Sequence, residues 1–131
     1  QGLRYFGNTE TQVVGVSISR DRASVEARMR SVLEMISKEM GTPPGMIPDS
    51  DIIVTDEYIG EGYGRPTDAG IAAIRTVAQS EGIILDPVYT GKAMSAMLDM
   101  LGRGTLPSAR DVVFLHTGGA PAIHPYAEFL I

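Results

Sequence analysis

The stretch that decides the fold is residues 85–92, Leu85-Asp86-Pro87-Val88-Tyr89-Thr90-Gly91-Lys92. Its order of residue types predicts a short apolar strand that enters a polar turn, followed at once by a helix. In parallel α/β sheets, ligands bind beyond the carboxyl ends of the strands, where helix N-termini offer unpaired N–H groups. We therefore expect the chemistry of this protein at this first junction.

A second junction of the same kind follows the last predicted strand, and its sequence is His116-Thr117-Gly118-Gly119-Ala120-Pro121. Its paired glycines let the backbone approach a ligand, although two glycines before a helix are also compatible with a simple tight turn. Together, the two junctions predict one crevice of the size of a cofactor.

Predicted strands and helices alternate along the chain. Apolar runs predict strands over residues 13–18, 52–54, 83–85 and 112–115. Apolar residues at helical spacing predict three helices: 25–40, ended by Gly41; one from Pro66 or Thr67, capped by Thr67 and ended by Gly82; and one capped by Thr90 and ended by Gly102 or Gly104. Repeated β-α-β units imply a parallel β-sheet flanked by helices. The prediction is a single α/β domain over residues 1–131.

The composition limits the classes of function. The 131 residues are 44% hydrophobic, with a net charge of −5 and no cysteine. This is enough apolar material for one core, and the scattered arginines form no basic stripe for nucleic acid. Without cysteine, disulfides, thiolate metal sites and cysteine nucleophiles are excluded. No apolar run approaches the roughly 20 residues that cross a bilayer, and the lack of cysteine agrees with a reducing compartment. We therefore expect a cytoplasmic protein that binds neither nucleic acid nor membrane.

The first eight residues predict the end of a helix rather than its beginning. Leu3 and Phe6 lie on one helical face and Gly7-Asn8 is a helix stop, but nothing precedes them to start a helix. We therefore expect this chain to be the C-terminal part of a longer protein.

The polar side chains near the predicted strand ends are mostly hydroxyls. They are Ser17, Ser19, Thr55, Asp56, Tyr63, Asp86, Tyr89, Thr90, His116 and Thr117. This set is a poor metal site, because the two histidines lie on different elements and no carboxylate pair has helical ligand spacing. The Gly-x-Ser-x-Gly motif of serine hydrolases is absent, and Ala93 after Gly91-Lys92 excludes a phosphate-binding Gly-Lys-Ser/Thr motif.

Tyrosine and threonine at the end of a strand suit a flat aromatic cofactor or a small amino acid. A phenol can stack or move protons, and a hydroxyl can hydrogen-bond to a ring nitrogen. Taken alone, Tyr89 and Thr90 are more simply interpreted as a half-buried core residue and a helix cap. Residues 58–66, with three glycines and two tyrosines, form either an ordinary flexible connector or a loop that carries Tyr63 over a pocket.

Three separate motifs occur in one order along the chain. They are Glu61-Gly62-Tyr63-Gly64-x-Pro66, then Glu81-Gly82-Ile83-x-Leu85-Asp86-Pro87-Val88-Tyr89-Thr90-Gly91-Lys92-Ala93-Met94, then His116-Thr117-Gly118-Gly119-Ala120-Pro121-Ala122. In these motifs and their spacing, the chain from Val13 onward resembles the D-cysteine desulfhydrase and 1-aminocyclopropane-1-carboxylate deaminase family of pyridoxal-phosphate enzymes. The resemblance implies the C-terminal part of the large cofactor-binding domain of a tryptophan-synthase-β-like fold. It also implies pyridoxal 5'-phosphate as cofactor, a small amino-acid substrate and a homodimer.

The resemblance further implies roles for individual residues. Tyr63 and Tyr89 match two active-site tyrosines that face the substrate in the family, with proposed roles in proton transfer or substrate activation. Gly118 and Gly119 match positions where the backbone lies against the cofactor ring.

Two threonines distinguish the branches of this family. Thr90 and Thr117 lie where the desulfhydrases carry threonines at the ring nitrogen, whereas the deaminases carry glutamate and leucine. A carboxylate there would keep the ring nitrogen protonated and strengthen the electron sink, while a hydroxyl leaves it closer to neutral. Because expelling hydrosulfide needs less carbanion stabilisation than opening a cyclopropane, the threonines favour β-elimination.

The chain departs from the family in its lysines. The family holds its cofactor on a Schiff-base lysine in an N-terminal region, with a Gly-rich phosphate loop further along, and neither matches this chain. Lys38 follows Glu34 by four residues, which predicts an exposed pair on a helix. Lys92 lies in a first helical turn, where a cation is unfavourable unless it pairs with Asp86 or an anion. We expect the Schiff-base lysine to lie outside this chain and the chain alone to be inactive.

The expected activity of the longer parent is β-elimination from D-cysteine or a related amino acid, giving pyruvate, ammonia and sulfide. The alternative enzyme is a 1-aminocyclopropane-1-carboxylate deaminase, which Thr90 and Thr117 disfavour. The alternative outside enzymes is a stand-alone ligand-binding or oligomerisation module that uses the same crevice without catalysis.

Overall fold

The computed structural model describes residues 1–106 and 111–130. The chain separates into two compact units, Gln1–Asp56 and Glu57–Ile131, and the single domain expected from the sequence stays a prediction. In the described part of the chain, no helix combines the length and the hydropathy of a membrane span.

The first unit contains a parallel pair of strands joined by a long helix. Strand β1 is Val14–Val16 and strand β2 is Ile53–Thr55, and they pair in register, with Gly15 opposite Val54. Helix α2, Arg22–Met40, lies between them in sequence. A parallel pair requires such a crossover connection, so the α/β class predicted from the alternating apolar runs is confirmed.

The ends of α2 have local chemical causes. The N-cap residue is Asp21, whose Oδ1 accepts the backbone N–H of Ser24 at 2.9 Å. Gly41 ends the helix in the left-handed conformation, as predicted. A single helical turn, α1 (Gly2–Tyr5), opens the unit.

The second unit is built on two helices, α3 (Asp68–Glu81) and α4 (Thr90–Gly102), followed by a 3-10 segment over Ala120–Phe129. The predicted limits of α3 are confirmed, since the Thr67 hydroxyl accepts the Gly70 N–H and Gly82 adopts the left-handed conformation. The helices enclose an apolar core of Ile71, Ala73, Ile74, Val77, Leu85 and Met94.

Two predicted strands are wrong. Residues 83–85 and 112–115 form no strand, because a strand requires a hydrogen-bonded neighbour and only β1 and β2 pair within the described residues. Leu85 is fully buried in the core, whereas Ile83 and Ile84 are each about half exposed. Within the described residues, the apolar run at residues 83–85 therefore buries one side chain in the core and pairs with no strand.

Candidate active site

The first junction is organised around the carboxylate of Asp86, which is fully buried. Its Oδ2 accepts the N–H groups of Val88 and Tyr89, each at 2.8 Å, and its Oδ1 accepts the N–H of Thr90 at 2.9 Å. N–H groups at the start of a helix have no partner within the helix and carry its positive dipole end. Asp86 therefore serves as the acceptor for the start of α4.

The prediction that Thr90 caps α4 is wrong, because Asp86 already supplies the acceptor. Thr90 is the first residue of the helix, and its hydroxyl donates to Asp86 Oδ1 at 2.6 Å and accepts the Asp86 N–H at 2.8 Å. The hydroxyl has one proton, which is committed to Asp86. Toward a ring nitrogen, Thr90 can therefore offer only its remaining lone pair.

The ionisation of Asp86 follows from the same contacts. Burial raises the pKa of Asp86, but hydrogen bonds from Thr90, Tyr89 and Val88 together outweigh it, so the pKa lies below its ordinary value. From the sequence, Asp86 is identified only as a polar residue near a strand end and as a possible partner of Lys92, not as the acceptor for the start of α4. The missed signal was an aspartate followed by proline just before a predicted helix, since aspartate accepts nearby backbone N–H groups in turns.

The second junction contacts the first at Asp86. A Cβ on Gly119 would lie 2.5 Å from Asp86 Oδ1, and the φ of Gly119 is +95°, so this position requires glycine. The Gly118 N–H donates to His116 Nδ1 at 3.0 Å, which leaves the ring proton on Nε2 for the Ile84 carbonyl oxygen, 2.9 Å away. The structure thus brings the two junctions together within the second unit.

Thr117 and Gly118 are exposed beside this contact. A Cβ on Gly118 would meet only open space, and the φ of this residue is +102°. The backbone at Gly118 therefore presents a surface without a side chain, with the Thr117 residue next to it.

Tyr63 and Tyr89 lie side by side although they come from different segments. Their hydroxyls share a hydrogen bond, and their ring centroids are 6.0 Å apart with an interplanar angle of 69°. Tyr63 is 62% exposed and Tyr89 is 42% exposed, so both phenols are accessible to a ligand. The hydrogen bond with Tyr63, followed by burial, raises the pKa of Tyr89 above its ordinary value.

The two lysines have different surroundings. Lys38 is exposed near the end of α2, as predicted. Lys92 is fully buried, and its Nζ donates to the carbonyl oxygens of Ile59 at 2.6 Å and Gly62 at 2.9 Å. The partner of Lys92 is thus a pair of backbone carbonyls and not the carboxylate or anion that the sequence led us to expect.

Comparison with known proteins bears on the family and the fold. The family model described as pyridoxal-phosphate dependent enzyme matches residues 1–118. A crystal structure described as that of an ACC deaminase homologue superposes with a TM-score of 0.84 and 29% sequence identity, over 98% of this chain. The chain spans only 38% of the length of that solved relative.

The residues at the two junctions fit a flat, polar cofactor ring. The backbone at Gly118 carries no side chain that would block a ring face, and Thr117 and the exposed phenols of Tyr63 and Tyr89 have hydroxyl groups of the kind that bind a polar ring. The individual roles that the resemblance implies for these residues stay predictions. The family model and the solved relative confirm the resemblance at the level of the family: the chain belongs to the pyridoxal-phosphate dependent enzymes.

Proposed function

We propose that this chain is part of a longer lyase that releases sulfide from D-cysteine or a related β-substituted amino acid, with pyruvate and ammonia as the other products. The observation that carries the proposal is the state of Thr90, an uncharged residue whose hydroxyl proton is used by Asp86. The site residues are Tyr63 and Tyr89 toward the substrate, and Thr90, Thr117, Gly118 and Gly119 toward the cofactor.

The argument concerns the charge near the cofactor's ring nitrogen. Pyridoxal phosphate, when bound, withdraws the electrons that the substrate's α-carbon releases as its proton leaves. A glutamate at position 90 would strengthen that withdrawal by keeping the ring nitrogen protonated. Thr90 adds no charge, and its remaining lone pair stabilises a protonated ring nitrogen less than a carboxylate would. The site therefore suits a reaction in which breaking the bond from the β-carbon to sulfur is easy. Elimination of hydrosulfide is such a reaction.

The two phenols supply proton transfer in this proposal. Tyr89 carries a proton at neutral pH, as a phenol with the ordinary pKa of about 10 does, and its hydrogen bond with Tyr63 raises this pKa further. A protonated, accessible phenol is suited to donate a proton to a leaving group, and its neighbour can receive or replace that proton. Tyr63 Oη and Tyr89 Oη are therefore assigned to the substrate side of the site.

The deaminase remains a second candidate, because the solved relative is described as an ACC deaminase homologue. The test is the double variant Thr90→Glu, Thr117→Leu in the full-length protein, assayed for sulfide release from D-cysteine and for deamination of 1-aminocyclopropane-1-carboxylate. We expect sulfide release to fall about 10-fold or more and deaminase activity to rise. Thr76→Glu, an exposed threonine of α3, is the control and leaves both rates unchanged.

An unchanged ratio of the two activities in that double variant would overturn the proposed use of positions 90 and 117. A wild-type protein that acts on the cyclopropane and not on D-cysteine would identify the deaminase instead.

The non-catalytic module is tested by the coding sequence upstream of Gln1. A lysine-bearing α/β region there supports the lyase, whereas a start codon near Gln1 supports a stand-alone module that ignores pyridoxal phosphate. The homodimer and the cytoplasmic location stay predictions of the resemblance and of the sequence.

A further inference from the structure

Lys92 is a buried cation whose two Nζ hydrogen bonds both reach one segment, residues 58–66, here named the tyrosine loop. Its side chain is fully buried, and its Nζ lies 2.6 Å from the carbonyl oxygen of Ile59 and 2.9 Å from that of Gly62. An ammonium group away from water is costly unless it is hydrogen-bonded. These two contacts therefore restrict where the backbone of the tyrosine loop can lie.

The stability of α4 does not explain a lysine at this position. Lys92 is the third residue of α4, where the positive end of the helix dipole disfavours a cation. Burial also lowers the pKa of Lys92, which means that its charged form is disfavoured in the folded protein. Since both effects oppose a lysine, its contribution must lie in the contact with the loop.

That contact is made next to Tyr63. Lys92 binds the carbonyl of Gly62, the residue before Tyr63, and Tyr126 Oη donates to the carbonyl of Gly64, the residue after it, at 2.8 Å. The Tyr63 side chain itself is 62% exposed. The position of its phenol is thus determined by the fixed backbone on either side more than by packing of the ring.

The beginning of the tyrosine loop has a different anchor, on the surface. Tyr58 Oη donates to Asp99 Oδ2 at 2.6 Å and accepts from Arg103 Nη2 at 2.8 Å. Exposed pairs of this kind contribute little to rigidity because water competes for them. Unlike this surface anchor, Lys92 is shielded from water, and it contacts the residue next to Tyr63.

We propose that Lys92 is a positioning residue, which holds the Tyr63 phenol against Tyr89 by binding the carbonyl groups of the tyrosine loop. The inference deepens the proposed function and rests on it for what Tyr63 does in catalysis. Lys92 touches neither phenol in this role and acts only through the loop backbone.

The test compares Lys92→Met with Lys38→Met, which removes an exposed lysine, in the full-length protein. Methionine keeps the length of the apolar part of the lysine side chain and removes the ammonium group. With tyrosine labelled at 13Cζ, we expect the pKa of Tyr89 to return toward its ordinary value in Lys92→Met, because Tyr63 no longer holds its hydroxyl. Lys38→Met leaves that pKa unchanged.

Activity provides the second readout. We expect Lys92→Met to lower kcat for sulfide release about 100-fold, the order of loss that a misplacement of about 1 Å causes, with KM changed by less than about 3-fold. In a Tyr63→Phe background, the same substitution should lower kcat by less than about 2-fold further, because the group that it positions is already absent.

Two outcomes would overturn the inference: an unchanged Tyr89 titration in Lys92→Met, or an equal loss of kcat in the wild-type and Tyr63→Phe backgrounds. If Lys92→Met does not fold, Lys92→Gln retains amide donors on a shorter side chain and must give a partial shift of the Tyr89 pKa. The titration does not depend on catalysis, so a protein that releases no sulfide would contradict the proposed function while the titration still decides the role of Lys92.

Discussion

The first junction and the tyrosine loop are each held by one buried charged side chain, but the two charges have opposite sign. In the first junction, the buried carboxylate of Asp86 accepts hydrogen bonds from three backbone N–H groups and from the Thr90 hydroxyl. The tyrosine loop is bound by the buried ammonium group of Lys92, which donates hydrogen bonds to two of its backbone carbonyls. Each segment carries one phenol of the Tyr63–Tyr89 pair.

The two arrangements differ in the distance along the chain over which they act. The acceptor contacts of Asp86 lie within four residues of it, whereas the carbonyls bound by Lys92 lie 33 and 30 residues away. The Asp86 contacts can form as soon as the turn forms. The Lys92 contacts require α4 to be in place beneath the tyrosine loop, so the phenol pair depends on both local and tertiary structure.

The largest effect on activity is expected when the hydroxyl of either phenol is removed. In the proposed lyase, Tyr63→Phe and Tyr89→Phe should each lower kcat by about 100-fold or more, because each removes a hydroxyl that can move a proton. The double variant should be little worse than the poorer single variant, since the two hydroxyls act as one hydrogen-bonded unit. Steady-state kinetics of sulfide release measure all three.

Tyr58→Phe is the matched control, because Tyr58 lies in the same loop and bonds to Asp99 instead of to a phenol. Its kcat should stay within about 3-fold of wild type. A loss equal to that of Tyr63→Phe would mean that the loop as a whole matters, and not the paired phenols.

The largest loss of stability is expected when one of the two carboxylate oxygens of Asp86 is replaced. Asp86→Asn retains one oxygen and replaces the other with an amide that cannot accept from the backbone. We expect the free energy of unfolding to fall by about 2–4 kcal/mol, because buried N–H groups lose their acceptor. Asp99→Asn, which alters an exposed aspartate, should cost at most about 1 kcal/mol. Chemical denaturation of the full-length protein measures both, and equal losses would contradict the capping role of Asp86.

The contact between the two junctions can be tested at the paired glycines. Gly119→Ala places a methyl group 2.5 Å from Asp86 Oδ1, whereas Gly118→Ala places one in open space, and both positions have positive φ. We expect backbone strain to destabilise both variants. The free energy of unfolding of Gly119→Ala should be lower than that of Gly118→Ala by a further ~1–3 kcal/mol. Thermal unfolding of the two variants isolates the clash, and equal melting temperatures would contradict the close approach to Asp86.

A smaller, gradual effect is expected from pH, which changes the contribution of Asp86 to the free energy of unfolding. The pKa of Asp86 is lower in the folded than in the unfolded protein, so its stabilising contribution is complete above the unfolded value of about 4. It is lost as the pH falls through the folded value. The difference in unfolding free energy between wild type and Asp86→Asn should therefore be constant above about pH 5 and shrink near pH 3. If the difference in unfolding free energy instead grows as the pH falls, the lowered pKa of Asp86 is contradicted.

Sequence reasoning was most accurate where the cause of a structure is local. The limits of α3 at Thr67 and Gly82, and the end of α2 at Gly41, follow from caps and left-handed glycines that act over a few residues. It failed at residues 83–85 and 112–115, because a strand depends on a neighbour that no short window contains. It also gave the capping role to Thr90 in place of Asp86, since either side chain can accept the N–H groups at the start of a helix.

By itself, the sequence determined the α/β class and the two junctions, because turn chemistry and hydrophobic period act between near neighbours. The family came from the resemblance carried by the three motifs. Only the tertiary structure decided that Tyr63 meets Tyr89, that Gly119 lies against Asp86 and that Lys92 binds the tyrosine loop. These contacts join residues about 30 apart in the chain, and they form only when α3 and α4 bury their shared apolar core and bring the segments together.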